Sequence, residues 1–149
     1  MHPFVHAQSN PDKPAIIVAE TGEIRTYRQL NDASNQVAQF FRQRGLGHED
    51  VVAFMLENTP DYYNLTWGAQ RAGLRYVCIS SRLTAGEVDY IVRDCGAKIL
   101  FTSDYMKAEA AKLVDMLPEM AGMFMVGQAI DGYEAYLPSR DAQPAEPVA

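Results

Sequence analysis

The sequence lacks the features that mark membrane-spanning and secreted proteins. It has no run of about 18 apolar residues, the length at which a stretch suggests a transmembrane helix. The start at Met1 lacks the basic and apolar segments of a secretory signal. The two cysteines, Cys78 and Cys95, lie too far apart in sequence for a redox or zinc pair. We therefore expect a cytoplasmic location and reduced thiols that pack as small apolar residues.

Motifs for nucleotide binding and nucleophilic catalysis are also missing. The sequence contains neither GxGxxG nor GxxxxGK followed by Ser or Thr, and no GxSxG nucleophile elbow. The three histidines, His2, His6 and His48, stand in no metal-ligand pattern and are interpreted as surface residues. The net charge of -6 argues against a broad phosphate-binding surface. We therefore assign no catalytic, cofactor-binding or metal-binding residue.

What is present suits a single domain built around Val51–Ser80. The 149 residues are 48% hydrophobic and 21% charged, which is ordinary for a folded globular chain. Two apolar runs, Val51–Leu56 and Tyr76–Ile79, suit strands and enclose a helix. The pair Thr59-Pro60 begins that helix and Gly73 ends it. Because both runs are apolar throughout, they predict neighbouring strands of a buried parallel sheet.

The segment before this unit predicts a hairpin and a long helix. Pro14–Glu20 and Glu23–Tyr27 flank a turn in which Gly22 can take a positive φ. A capping box over 26–29 opens a helix that ends at Gly45. The apolar face of that helix carries Leu30, Ala33, Val37, Phe40 and Phe41.

The segment after the unit continues the alternation of helices and strands. A second capping box, from Thr84 to Glu87, opens a helix that ends at Gly96 and carries Cys95 on its apolar face. Three further elements follow: strand Lys98–Thr102, a helix from Ser103 or Asp104 to about Leu117, and strand Met123–Val126.

These elements predict an α/β fold with a layered, mostly parallel sheet flanked by helices and an N-terminal β-hairpin. The domain is expected to span residues 1–137. Met1–Lys13, which is polar and broken by proline, is expected to follow the surface. Residues 138–149 are rich in Pro and Ala and predict a flexible tail.

Ligands of such sheets bind beyond the carboxyl ends of the strands, where several polar residues stand. The segment Ser80-Ser81-Arg82 could hold an anion, although a solvated loop is the simpler interpretation. Cys78 and Cys95 lie in apolar surroundings, so core packing is favoured over a nucleophile. The other strand ends carry Glu57-Asn58-Thr59, Thr102-Ser103-Asp104 and Gly127-Gln128.

Short stretches between residues 10 and 103 match a family pattern in its order and spacing. They are Asn10–Ala15 (NPDKPA), Thr26–Leu30 (TYRQL), Gly45–Ala53, Asn58–Tyr62 (NTPDY), Ala72–Val77 (AGLRYV), Arg82–Ile91 and Asp94–Lys98 (DCGAK). Through them the chain resembles the N-terminal part of acyl-CoA synthetases, in the superfamily of acyl- and aryl-CoA ligases, luciferases and peptide-synthetase adenylation domains. The stretches Arg82–Ile91 and Asp94–Lys98 lean towards fatty-acyl-CoA ligases.

The chain departs from the family at four positions and in length. Glu49 stands where the family usually has Gly, Cys78 and Ser80 replace Pro and Asn, and Cys95 replaces a common Ser. These departures bear on packing. Members of the family are several times longer, and their Ser/Thr/Gly-rich phosphate loop, adenine- and ribose-binding motifs and catalytic Lys have no match here. No site residue can therefore be carried over.

The resemblance implies two-step chemistry for an intact parent enzyme. A carboxylate, here a fatty acid by preference, would attack the α-phosphate of ATP, and the thiol of coenzyme A would then displace AMP. ATP, Mg²⁺, coenzyme A and the remainder of the synthetase are the implied cofactors and partners. The segment by itself is expected to be an inactive scaffold that binds none of these cofactors and no nucleic acid.

Two other hypotheses stay open from the sequence. A stand-alone α/β binding or regulatory module would need acidic residues and a Lys at strand ends. The pattern of a phospho-receiver site is matched only poorly, by Glu57, Asp104 and Lys107. A self-associating interaction domain is the other possibility, because apolar surface that packs on the rest of a synthetase would be exposed in this segment.

Overall fold

The computed structural model describes residues 2–148, which form a five-stranded sheet, a separate hairpin and six α-helices. The strands are β1 (Pro14–Ile17), β2 (Ile24–Thr26), β3 (Val51–Met55), β4 (Arg75–Ile79), β5 (Ala97–Ser103), β6 (Gly122–Val126) and β7 (Glu134–Ala135). The helices are α1 (Pro3–Ser9), α2 (Tyr27–Gln43), α3 (Pro60–Arg71), α4 (Ala85–Cys95), α5 (Lys107–Met116) and α6 (Tyr136–Asp141).

The main sheet has the strand order β4-β3-β5-β6-β7, and every neighbouring pair is parallel. The chain runs outward from β3 to β4 and then crosses back to β5 on the other side of β3. This reversal is the topological switch point of a doubly wound sheet. The hairpin β1-β2 is antiparallel and lies outside the main sheet. The predicted α/β fold with a parallel sheet and an N-terminal hairpin is confirmed.

Strand residues alternate between two apolar layers, as a period of two requires. Val52, Phe54 and Phe101 pack in one layer with α2 and α3. Met55 and Leu100 point to the other face and pack with α4 and α5. Both faces of the central strands are therefore covered, which explains why β3 and β5 are continuous apolar runs.

The predicted starts of α2, α3 and α4 are present, whereas the helix predicted from Ser103 or Asp104 begins as a 3-10 turn over Asp104–Met106 and becomes α5 at Lys107. Thr26 and Gln29 form the expected capping box of α2, in which the Thr26 N–H donates to Gln29 Oε1 at 2.8 Å. At the start of α4 the Glu87 carboxylate accepts from the Thr84 N–H at 2.8 Å. Thr59 occupies the N-cap position of α3 with extended backbone, but its side chain makes no capping hydrogen bond. Pro60 at the first helical position supplies that start instead.

The prediction that the strand after Gly73 is buried is wrong. β4 is an edge strand whose residues Arg75, Tyr76 and Cys78 are exposed. Only Ile79 of this strand is fully buried. The short apolar run suggested a central strand because periodicity does not report which strand ends a sheet.

Both termini are more ordered than the sequence suggested. Residues Pro3–Ser9 form α1, which packs on α2, instead of an irregular surface segment. At the other end β7 and α6 were not predicted, and the expected domain boundary at 137/138 falls inside α6. Tyr136 of α6 is buried in the layer that contains α2. Met1 and Ala149 lie outside the described residues.

Candidate functional site

The carboxyl ends of the parallel strands meet at one edge of the sheet, where a ligand is expected. The ends of β3 and β5 flank the switch point and bring Glu57 and Ser103 together. The Ser103 hydroxyl, 1% exposed, donates a hydrogen bond to Glu57 Oε2. The crevice between β3 and β5 is thus closed by a side-chain hydrogen bond.

Asp104 adds a second carboxylate to this edge of the sheet. Asp104 follows β5, and its Oδ2 atom accepts a hydrogen bond from the Gln128 N–H at 2.9 Å. Phosphate sites at such edges are built from backbone N–H donors and cations. Glu57 and Asp104 place negative charge there instead. Within the described residues, this edge thus presents two carboxylates beside the switch point.

Ser80-Ser81-Arg82 lies at the end of the edge strand β4 and forms a local turn. The Arg82 N–H donates to Ser80 Oγ at 3.3 Å, and the Leu83 N–H donates to the Ser80 carbonyl at 3.3 Å. Ser80 and Arg82 are exposed. Because β3 separates β4 from β5, this turn lies on the other side of the switch point from Asp104.

His2 and His6 contact aromatic rings, and His48 lies beside the carboxylate of Glu49. The rings of His2 and Trp67 are 4.8 Å apart, and those of His6 and Tyr27 are 4.8 Å apart. Burial, assisted by the Arg71 charge, lowers the pKa of His2. Between residues 2 and 148 no three His, Cys, Asp or Glu side chains come close enough to hold a metal ion.

A cleft of about 600 Å³ lies beside the edge strand, away from the crevice. We call it the edge cleft. Its walls are the hairpin strand β1, the start of α3 and the exposed side of β4, including Ile17, Asn58, Thr59, Tyr63, Tyr76 and Cys78. This volume is in the range of small-molecule sites. Asn58 and Thr59, which follow β3, line this cleft. Glu57, directly before them, instead accepts the hydrogen bond from Ser103.

The edge cleft corrects the prediction that Cys78 packs in the core. Cys78 is exposed, because β4 has a neighbour on one side only. Cys95 is half-buried, and its thiol donates to the Val92 carbonyl at 3.5 Å. Burial raises the pKa of the neighbouring Tyr62 hydroxyl well above its usual range, and the nearby Cys78 thiol adds to the shift.

Comparison with known proteins identifies the family to which this geometry belongs. Residues 4–147 match the family described as AMP-binding enzyme. The chain belongs to the AMP-binding enzyme family. The resemblance drawn from the short sequence stretches is thereby confirmed.

Proteins to which this AMP-binding chain is similar are named for different acids. It is 31% identical over 139 residues to the fatty acid–acyl-carrier-protein ligase ScoC of Streptomyces coeruleorubidus, covering 93% of this chain and 26% of that protein. Its fold matches the anthranilate CoA ligase AuaEII, solved with anthranoyl-AMP, with a TM-score of 0.86 and 21% identity over 97% of this chain and 27% of the other.

A third match is the N-terminal domain of FACL13 from Mycobacterium tuberculosis, with a TM-score of 0.82 and 23% identity. The match covers 99% of this chain and 37% of that domain. The chain thus spans between 26% and 37% of these three matched chains. Among the helices of residues 2–148, none combines the length and apolar character needed to cross a bilayer.

Proposed function

We propose that this chain is the N-terminal scaffold segment of an AMP-forming fatty-acyl-CoA ligase. The observation that carries the proposal is the family match over residues 4–147, together with a chain that spans 26% of the ScoC ligase. The parent enzyme would join a fatty acid to the α-phosphate of ATP, release pyrophosphate, and transfer the acyl group to coenzyme A. ATP use follows from the family, and Mg²⁺ and coenzyme A belong to the proposal.

The geometry supports a scaffold role for this segment. Phosphoryl chemistry needs cations and donors aimed at developing negative charge. The switch-point crevice presents Glu57 and Asp104, and Ser103 is already bonded to Glu57. No residue of this chain is therefore proposed to act on the substrate. The donors that bind ATP would come from the remainder of the synthetase, which is the expected partner.

The test is ATP–pyrophosphate exchange by the purified 149-residue chain. We expect no exchange with fatty or aryl acids, while a full-length ligase assayed in parallel exchanges label. Clear exchange by the pure chain would overturn the scaffold role. Sequencing the codons after residue 149 for a Ser/Thr/Gly-rich loop tests the parent assignment separately. A cytoplasmic location and self-association stay predictions, the latter checked by light scattering.

A binding or regulatory module is the second candidate, and one observation favours it. Counted from β3, the strand order is that of flavodoxin-like sheets, whose ligand sits at the switch point. Such a module would bind flavin or accept phosphate at that crevice. Titration with flavin and with acetyl phosphate should change neither fluorescence nor mass if the scaffold proposal is right. A saturable change would favour the module.

A further inference from the structure

A stripe of amide side chains on α2 holds the last described residues of the chain. Asn35, Gln36 and Gln39 lie within about one turn of each other, so their side chains project from neighbouring positions on the helix. Each donates to a different main-chain carbonyl. The bonds are Asn35 Nδ2 to Ala145 at 2.8 Å, Gln36 Nε2 to Gln143 at 3.0 Å, and Gln39 Nε2 to Glu146 at 2.9 Å.

The segment on this stripe presents main-chain carbonyls to α2. It contains Pro144 and Pro147, which have no N–H and a fixed φ, and its backbone bends at 143, 145 and 146. All four contacts from the stripe go to main-chain carbonyls, because Gln39 Nε2 also donates to the Pro147 carbonyl at 3.3 Å. Gln143 adds one side-chain contact, because its Nε2 donates to Gln43 Oε1 at 2.7 Å. The stripe therefore recognises backbone geometry more than side-chain identity.

The Asn35 amide of the stripe is also held by contacts within the domain. Asn35 is 1% exposed, and its Oδ1 accepts from Arg71 Nη1 at 2.7 Å. Arg71 is itself held by Asn31 Oδ1 at 2.9 Å. Because the guanidinium takes the Asn35 oxygen, the amide nitrogen must point towards the segment. This preorganisation lowers the ordering cost of docking.

We propose that the amide stripe of α2 is a docking surface for a bent, proline-containing segment, and that its occupant is residues 143–147 of this chain. Val148, just beyond, packs on the apolar layer that contains α2. Within the ligase of the proposed function, on which this last step rests, Asn35, Gln36 and Gln39 are positioning residues. They fix the path by which the chain leaves this domain for the remainder of the enzyme.

Backbone order in the 149-residue chain tests the docking without reference to catalysis. We expect ¹⁵N relaxation to give order parameters near the rigid value of about 0.85 at Gln143, Ala145 and Glu146. In the variant Gln36→Ala/Gln39→Ala they should fall below about 0.6, the range of flexible backbone. Gln70→Ala, which removes an exposed glutamine of α3, is the matched control and should leave them unchanged.

A second variant separates docking from fold stability. Asn35→Asp keeps the shape and the contact with Arg71 but replaces the donor to Ala145 with an acceptor. We expect the segment to become mobile while the melting temperature is kept, because Arg71 gains a charged partner. A segment that is already mobile in the wild-type chain, or one that stays rigid in both variants, would overturn the proposal. Neither result would bear on ATP–pyrophosphate exchange, so the two proposals fail independently.

Discussion

The guanidinium of Arg140 lies 3.0 Å from the carboxylate of Asp61, and each side chain keeps only 16% of its surface exposed. The pair joins α6 to the first turn of α3 across 79 residues of sequence. The same carboxylate oxygen accepts from Asn64 Nδ2 at 3.1 Å. Arg140 also covers the ring of buried Tyr136, with its guanidinium carbon 5.6 Å from the ring centre. These contacts attach the end of the domain to its centre.

Removal of this buried ion pair should be costly. Arg140→Ala leaves Asp61 without its cation in a mostly buried place, and we expect a loss of about 2–3 kcal/mol, somewhat below the range for fully buried pairs. Urea denaturation measures the loss. Arg28→Ala breaks an ion pair with Asp12 whose side chains are 58% and 84% exposed, and should cost less than about 0.5 kcal/mol. Equal effects of the two variants would contradict the assignment.

Glu49 should be improved by replacement with glycine. It has a φ of 71°, a left-handed conformation that strains a residue with a Cβ atom, and the family usually has Gly here. Relief of about 1–2 kcal/mol of strain is partly offset by the entropy of glycine and by an exposed ion pair with Arg75. We expect Glu49→Gly to gain about 0.5 kcal/mol net.

Glu49→Ala is the control for that prediction. It keeps the strain and loses the ion pair with Arg75, so it should lower the free energy of unfolding by up to about 0.5 kcal/mol. Thermal unfolding of the three proteins gives the order. Stabilisation by alanine equal to that by glycine would show that the backbone conformation at position 49 carries no strain.

Gly68 is required where α2 and α3 approach each other. A Cβ atom at this position would lie 2.3 Å from Val37 Cγ1, which is completely buried. Gly68→Ala should therefore cost about 2 kcal/mol through overpacking. Gly86, in the first turn of α4, has no atom near a built Cβ, so Gly86→Ala should be neutral or stabilising by up to about 1 kcal/mol. A neutral Gly68→Ala would show that the helices separate without cost.

The two thiols should react at different rates with an aromatic disulfide reagent. Cys78 is exposed in the edge cleft, whereas Cys95 is half-buried on α4. We expect a fast phase from Cys78 and a slow phase from Cys95. Cys78→Ser should remove the fast phase and leave the slow one. Persistence of the fast phase in that variant would mean that β4 is covered and Cys95 is accessible.

Acid should weaken the fold through carboxylates that are stabilised in the folded state. Backbone and hydroxyl donors of Thr84 hold the pKa of Glu87 below its ordinary 4.5, and the Arg44 guanidinium does the same for Glu134. A depressed folded pKa gives stability that is present above the unfolded value and is lost as pH falls through the folded value. Urea denaturation should therefore show a free energy of unfolding that falls below about pH 4.5, the unfolded value.

The variant Glu134→Gln isolates one of these contributions. It removes a titrating group that accepts 2.8 Å and 2.6 Å hydrogen bonds from Arg44. We expect lower stability than the wild type at neutral pH and a shallower decline in acid, because the lost group no longer takes up a proton on unfolding. A decline as steep as that of the wild type would remove Glu134 from the explanation.

Local sequence determined the elements whose signals lie within a few residues of each other. The capping boxes at Thr26 and Thr84 are fixed by side chains three residues apart. The helix-ending glycines Gly73 and Gly96 take φ values of 70° and 67°, a left-handed conformation that glycine adopts without the cost of a Cβ atom. The apolar runs of β3 and β5 follow from burial on both faces. The family likeness rests on short stretches of the same kind. The absence of a phosphate-loop motif is likewise read directly from the sequence.

Tertiary structure alone decided which surfaces those elements cover. Whether β4 is central or at the edge depends on the crossover from β4 back to β5. The exposure of Cys78 follows from that edge position. The order of the chain end depends on partners about 80 to 110 residues away, Asp61 for Arg140 and Asn35 for Ala145. A Pro/Ala-rich composition predicts a tail because it offers little to bury. The amide side chains of α2 hold this segment by hydrogen bonds. No pattern within the tail itself predicts these distant partners.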